Sequence, residues 1–268
     1  LIVAVIGAGK IGEAVARGIA ASDFASQVIV TKRNTSTLKS LRSEKKIRIT
    51  NDNRSAAQRA SVIILAVKAG DAKAVLEEIA LETDDKVVIS MMAAVSLRML
   101  EGSLPQAKLV RSMPNIAASI GEAITAYSPG KNLTKRDLEL VRDVLETFGD
   151  HIEVPESLMN AVTALSGSGP AYIALLIEAM VSAGLKVGIP RDIALKLATK
   201  TLTGTADLLS KGGVHPAELR DLVTTPAGTT IAGIHELEKG DVRTSMVNAV
   251  EAATQAAERV AKKFQGDS

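Results

Sequence analysis

The chain opens with "LIVAVIGAGKIGEAVARGI", and no other stretch restricts its fold as much. Six apolar residues run directly into Gly7-Ala8-Gly9-Lys10-Ile11-Gly12, a G-x-G-x-x-G pattern, and a helical pattern follows over 11–21. A strand, a glycine turn and a helix in that order open a βαβ unit that binds a dinucleotide. The first glycine permits the tight turn, the second lets the backbone approach a pyrophosphate, and the third lets helix and strand pack closely.

Further short apolar runs at 27–31, 61–67, 86–90, 108–113, 123–128 and 151–154 alternate with helical patterns such as 71–81. The early runs are continuously apolar, as parallel strands covered on both faces require. The expected fold class is α/β: an N-terminal Rossmann-like doubly wound sheet. From Pro155 onward the strand signal stops and helical periodicity takes over, with prolines at likely helix starts and glycines at likely stops. The boundary is set there, giving a nucleotide-binding domain over 1–155 and an all-α domain over 156–268. The closing "QGDS" reads as a frayed end. The second domain is too apolar for a stack of solvent-facing helices, which points to a large subunit interface.

Composition excludes several functions. Aromatic residues make up 2% and the net charge is +2, so neither a base-stacking platform nor a general polyanion field is available. Nucleic acid is not an expected partner. The chain has no cysteine, and its three histidines, His151, His215 and His235, lack ligand spacing; no metal site is expected. "LIVAVIG" lacks the basic lead-in of a signal peptide. The longest apolar stretch, 171–185, contains Glu178 and reads as too short to span a bilayer. The expected location is the cytoplasm, with no membrane contact.

The end of the second strand discriminates between cofactors. A carboxylate about 20 residues after the glycines would bind the ribose 2′-hydroxyl of NAD. Here the chain reads Thr31-Lys32-Arg33-Asn34, with two cations and no carboxylate. That set suits a 2′-phosphate, with Arg33 as its guanidinium partner. NADPH is therefore the expected cofactor, with NADH a weaker alternative.

A second feature lies far downstream, in "LRDLVTTPAGTTIAGIHELE" (219–238), where two helical runs flank a turn of small hydroxyl residues, Pro226 and Gly228. A fresh helix start there offers unpaired N–H groups to an anion. The residue pattern alone leaves an NADP-dependent reductase and a non-catalytic NADP-sensing protein both open.

Together, "GAGKIGEAVARGI", "LAVK", "RSMPNIAASIGEAITAY", "ALSGSGPAYIALLIEAMVSAGLKVGI" and "LVTTPAGTTIAGIHELE" resemble the pyrroline-5-carboxylate reductase family over nearly the whole chain. The resemblance implies reduction of 1-pyrroline-5-carboxylate to L-proline, and a helical domain forming a homodimer, with dimers building a higher ring. It also implies that the substrate lies between the nicotinamide and the downstream turn. Carried over residue by residue, it assigns Gly7, Ala8, Gly9, Lys10, Ile11, Gly12, Ala66, Val67, Lys68, Met92, Ala93 and Asn115 to the cofactor. It assigns Thr224, Thr225, Gly228, Thr229 and Thr230 to the substrate. Backbone N–H groups of Gly228, Thr229 and Thr230 would hold the carboxylate, and the Thr230 hydroxyl would stand beside the ring nitrogen as the catalytic group. The chain departs from the family pattern at Ala69, Ala94, Ile116 and Ala117.

Overall fold

A computed structural model describes residues 1–266. Among them, eight strands form one sheet: β1 (Ile2–Ile6), β2 (Gln27–Thr31), β3 (Ile47–Thr50), β4 (Val62–Leu65), β5 (Val87–Ser90), β6 (Lys108–Met113), β7 (Ala123–Pro129) and β8 (Gly149–Glu153). Their order is β3-β2-β1-β4-β5-β6-β7-β8. All neighbours are parallel except β6 and β7. The α/β expectation holds, and the strand order reverses beside β1, where such sheets bind ligands.

Five helices cover this sheet: α1 (Lys10–Ala21), α2 (Asn53–Arg59), α3 (Ala72–Ile79), α4 (Leu97–Ser103) and α5 (Lys135–Glu146). Strand side chains alternate between faces. Val3, Val5, Val28, Val30 and Ile64 pack with Val15 and Ile19 of α1 and Val144 and Leu145 of α5. Ala4, Ile6, Ile63 and Leu65 pack on the other face with Ala57 of α2, Leu76 of α3 and Leu100 of α4. β3 has no counterpart among the apolar runs read from sequence. It is a short edge strand whose four residues include Arg48 and stay partly exposed, so its apolar signal is diluted.

Helices α6 (Met159–Val162), α7 (Gly169–Lys186), α8 (Arg191–Gly212), α9 (Pro216–Leu222), α10 (Thr229–Lys239) and α11 (Val242–Gly266) complete the chain. A five-residue π turn, Thr163–Gly167, links α6 to α7. The chain divides into two compact units, one of Leu1–Pro170 with the residues from Glu251, the other of Ala171–Val250. Strands end at Glu153, beside the boundary read at Pro155, but the first unit extends further. The reason is that Met159 is fully buried with Met113 and Ala126, with Val154 and Val162 packed on them. Helix α11 runs through Gln265 and Gly266, so half of the stretch read as frayed is helical; Asp267 and Ser268 lie outside the described residues.

Glu156–Lys186 is a helical stretch of 31 residues, longer than the apolar run 171–185, and an 18-residue window within it reaches a mean hydropathy of 1.4; it passes a test of length and composition for a membrane span that helices of soluble proteins also pass.

In the second unit, little is buried. Val181, Ala194 and Ala198 form its small core. Leu175, Val187, Leu197, Leu208, Leu222 and Leu237 are all more than half exposed.

Helix α5 shows how a local ionic device anchors the sheet. Thr134 Oγ1 accepts from the Asp137 N–H, and Asp137 Oδ2 accepts from the Thr134 N–H at 2.8 Å, a reciprocal capping box. Lys108 Nζ on β6 stands 3.3 Å from Asp137 Oδ1. Burial pushes the Asp137 carboxyl up. The Thr134 hydroxyl, its backbone N–H and the Lys108 ammonium outweigh that, so it sits below the ordinary carboxylate range. A depressed carboxyl stabilises the fold above its unfolded-state pKa of about 3.9 and loses that contribution as pH falls through the lower folded value. Asp137→Asn should therefore cost about 1 kcal/mol at pH 7. Urea unfolding of parent and variant should show that gap narrowing as pH falls below the unfolded-state value of about 3.9; a constant gap would mean the carboxylate charge plays no part.

Candidate dinucleotide cleft and anion-binding turn

β1 ends in a turn that only glycine can make. Gly7 has φ +98°, in the left-handed region, and a Cβ there would stand 2.8 Å from the Val67 nitrogen. The Gly7 and Ala8 N–H groups donate to the Thr31 carbonyl at 3.3 and 2.9 Å, and Gly7 N also meets the Thr31 hydroxyl at 3.3 Å. The buried Thr31 thus ties the end of β2 to the turn. A Cβ on Gly12 would collide with the Gly7 carbonyl oxygen, so α1 packs as closely as a glycine allows. Gly9 differs: a Cβ there would have nothing within 4 Å. It caps α1 with extended backbone and no side-chain hydrogen bond, which leaves the first N–H groups of the helix without intrahelical acceptors.

A cleft of about 580 Å³ opens over this turn. It collects Gly7, Ala8, Gly9, Thr31, Lys32, Arg33, Asn34, Ala66, Val67 and Lys68 from the residues read in the sequence. Open space above Gly9, with free N–H groups behind it and cations at its rim, fits a dinucleotide pyrophosphate. Lys10, Ile11 and Gly12 belong to the first turn of α1 and do not line the cleft.

Met92, Ala93 and Asn115 do not line it either. Met92 is 1% exposed and packs in the core with Leu97 and Leu100, so its side chain is not available to a ligand. Asn115 Oδ1 accepts the Ala117 N–H at 3.1 Å and caps a short helical turn. Between them, Ala94 holds φ +67°, a backbone region that favours glycine.

The cleft contains residues that sequence reading missed, notably Asn51, Asn53, Asp71 and Glu78. The two asparagines follow β3, so overlooking that strand hid them. Asp71 and Glu78 lie about sixty to seventy residues from the glycines in sequence, and only the β1–β4 pairing brings their segment alongside. Charges in the cleft are largely partnered. Lys32 Nζ meets Glu13 Oε1 at 3.3 Å, Arg33 Nη2 meets Asp71 Oδ2 at 3.1 Å, and Asn53 Nδ2 donates to Glu78 Oε2 at 2.8 Å. Asn34 Oδ1 is engaged by the Ser36 N–H and hydroxyl.

In the second unit, Thr225-Pro226-Ala227-Gly228 closes a tight turn in which the Gly228 N–H donates to the Thr225 carbonyl at 3.0 Å. Proline follows the first residue, and Ala227 carries φ +58°, the signature of a type II turn. One expectation changes here: the Gly228 N–H is already used, so the donors free at the start of α10 are those of Thr229, Thr230 and Ile231. A Cβ at Gly228 would strike the Thr225 hydroxyl, so the position is tight within the turn itself. Thr224 Oγ1 donates to the Arg220 carbonyl at 2.7 Å and stabilises the end of α9. Thr230 is half-buried, and Thr225 and Thr229 are exposed.

Residues 156–260 match the family described as pyrroline-5-carboxylate reductase dimerisation. Residues 2–94 match that described as NADP oxidoreductase, coenzyme F420-dependent. A pyrroline-5-carboxylate reductase of Methanosarcina acetivorans is 42% identical over 96% of this chain and 97% of its own. The structure of the Plasmodium falciparum pyrroline carboxylate reductase with NADP bound superposes with a TM-score of 0.89 at 28% identity, covering 97% of this chain and 98% of that one. The Coxiella burnetii pyrroline-5-carboxylate reductase gives 0.88 at 31% identity, covering 97% of each.

The glycine geometry separates folding from binding. Gly9→Ala should lower unfolding free energy by only about 0.5–1 kcal/mol, the preference for glycine over alanine at a helix N-cap, since the new methyl meets only open space. It should weaken dinucleotide binding at least about tenfold, or about 1.4 kcal/mol. Gly7→Ala should instead destabilise the fold itself by about 1–3 kcal/mol. Calorimetric titration with denaturation curves for both variants checks this; equal losses of stability would contradict the assignment of Gly9 to ligand approach.

Proposed function

Since the chain belongs to the pyrroline-5-carboxylate reductase family, we propose that it reduces 1-pyrroline-5-carboxylate to L-proline, the last step of proline synthesis. The observation that carries this reading is 42% identity to a curated reductase over 96% of the chain, with fingerprint and turn both present. NADPH bound in the cleft supplies the hydride that adds to the imine carbon, and NADH is the weaker donor.

The chain's own residues then bind and orient. Gly9 and the first turn of α1 receive the pyrophosphate, and Arg33 receives the 2′-phosphate. At the turn, the N–H groups of Thr229, Thr230 and Ile231 hold the substrate carboxylate against the positive end of α10. Thr225 lines the same turn. Thr230 Oγ accepts the N–H of the protonated imine, and its own O–H can donate to the lone pair that forms on nitrogen as the carbon is reduced. An iminium carbon is already electrophilic, so alignment supplies much of the rate. No side chain has to act as a titrating acid.

The chain carries the family's dimerisation domain. A homodimer closed by the exposed leucines and valines of the second unit, and a ring of such dimers, is the proposed working assembly. It acts in the cytoplasm without a membrane or nucleic-acid partner.

Imine-dependent oxidation of NADPH tests the reading. Cofactor binding without turnover would leave a sensor; turnover only with other imines or oxo acids would leave a different reductase. Thr230→Ala keeps the backbone donor and loses the hydroxyl. Its kcat should fall roughly 10- to 100-fold with NADPH affinity unchanged, as expected for loss of one hydrogen bond of about 1.5–3 kcal/mol. Thr230→Ser should retain most activity, and a parent-like Thr230→Ala would remove the hydroxyl from the mechanism. Sedimentation at micromolar concentration should show no folded monomer; a stable, active monomer would overturn the proposed assembly.

A further inference from the structure

Asp71 closes a short helical turn, Ala69–Asp71, that runs directly into α3, and its side chain makes no capping hydrogen bond to the helix. Its carboxylate instead reaches across the cleft to Arg33, with Nη2 to Oδ2 at 3.1 Å. The two are 38 residues apart in sequence. Arg33 is 90% exposed and Asp71 37%, so water screens the pair and a stronger anion can draw the guanidinium away. Of the other charged groups in the cleft, Lys32 meets Glu13 and Glu78 meets Asn53, while Lys68 also lines it.

We propose that Asp71 sets how strongly this cleft distinguishes a ribose 2′-phosphate from a 2′-hydroxyl. The proposal rests on the reading of the cleft as the NADPH site. The carboxylate missing from the end of β2 is supplied in space from the start of α3. A phosphate dianion must compete with Asp71 for Arg33, and the carboxylate left behind repels it. A 2′-hydroxyl has no such competition and can donate to the same carboxylate, as ribose does to an acidic residue in NAD sites. Asp71 therefore narrows the preference for NADPH and keeps NADH usable. It is a specificity-determining residue, since it acts on the phosphate partly through Arg33.

Calorimetric titration of the full chain with adenosine 2′,5′-bisphosphate and with AMP reads this without turnover or a nicotinamide. Asp71→Asn should tighten the bisphosphate by about 3- to 10-fold and leave AMP unchanged or weaker. Asp71→Ser, which removes the charge with a smaller side chain, should do the same. An unchanged or weakened bisphosphate, or equal tightening of both ligands, would overturn the proposal. Arg33→Ala separates this from the underlying reading and should bring the bisphosphate close to the affinity of AMP. If the parent does not prefer the bisphosphate, or Arg33→Ala leaves that preference intact, the 2′-phosphate assignment itself fails and takes the role of Asp71 with it. A parent that prefers it while both Asp71 variants match the parent would remove Asp71 alone.

Discussion

Helix α1 begins so close to β1 that a methyl group on Gly12 would overlap the Gly7 carbonyl oxygen and press on Ala66 at 3.3 Å. The rest of the cleft follows from that approach. Because the helix starts at the strand's end, its unpaired N–H groups face the space above Gly9 rather than solvent at large. Because Gly7 also abuts Val67, the segment after β4 is drawn to the same point. That segment leads on to Asp71 and α3, and Thr31 closes the arrangement from the β2 side.

Much of this was legible in sequence because it is local. The glycine pattern, the apolar strands and the loss of strand signal after Pro155 each reside within a few consecutive residues. What was not legible depends on pairing across the sheet. Asp71 reaches Arg33 only because β4 lies beside β1 and β2 on its far side. The absence of a carboxylate after β2 was a true statement about the sequence and an incomplete one about the space. Met92 shows the opposite case: a motif position carried over by resemblance has its side chain in the core, which leaves its backbone to face a ligand. At the turn, one hydrogen bond, Gly228 N to Thr225 O, moved the expected anion donors on by one residue.

A further tie within the first unit joins segments remote in sequence. Glu156 Oε1 accepts the Leu97 N–H at 2.6 Å and the Arg111 guanidinium at 3.1 Å. It thereby pins the start of α4, the end of β6 and the residues after β8 at one carboxylate. Arg111 is nearly buried, and burying its charge would be costly without this partner. The loop holding Met92, Ala93 and Ala94 ends at that junction, so its position is fixed by a residue sixty positions downstream.

Ala227 gives the turn before α10 a particular rigidity. An L-residue with a side chain rests in the left-handed region at a cost of about 1–2 kcal/mol. Glycine there could drift through neighbouring conformations with the turn still roughly formed. Alanine lacks that freedom, so the turn leading into α10 holds one shape against this cost, with the Thr225–Gly228 hydrogen bond closing it.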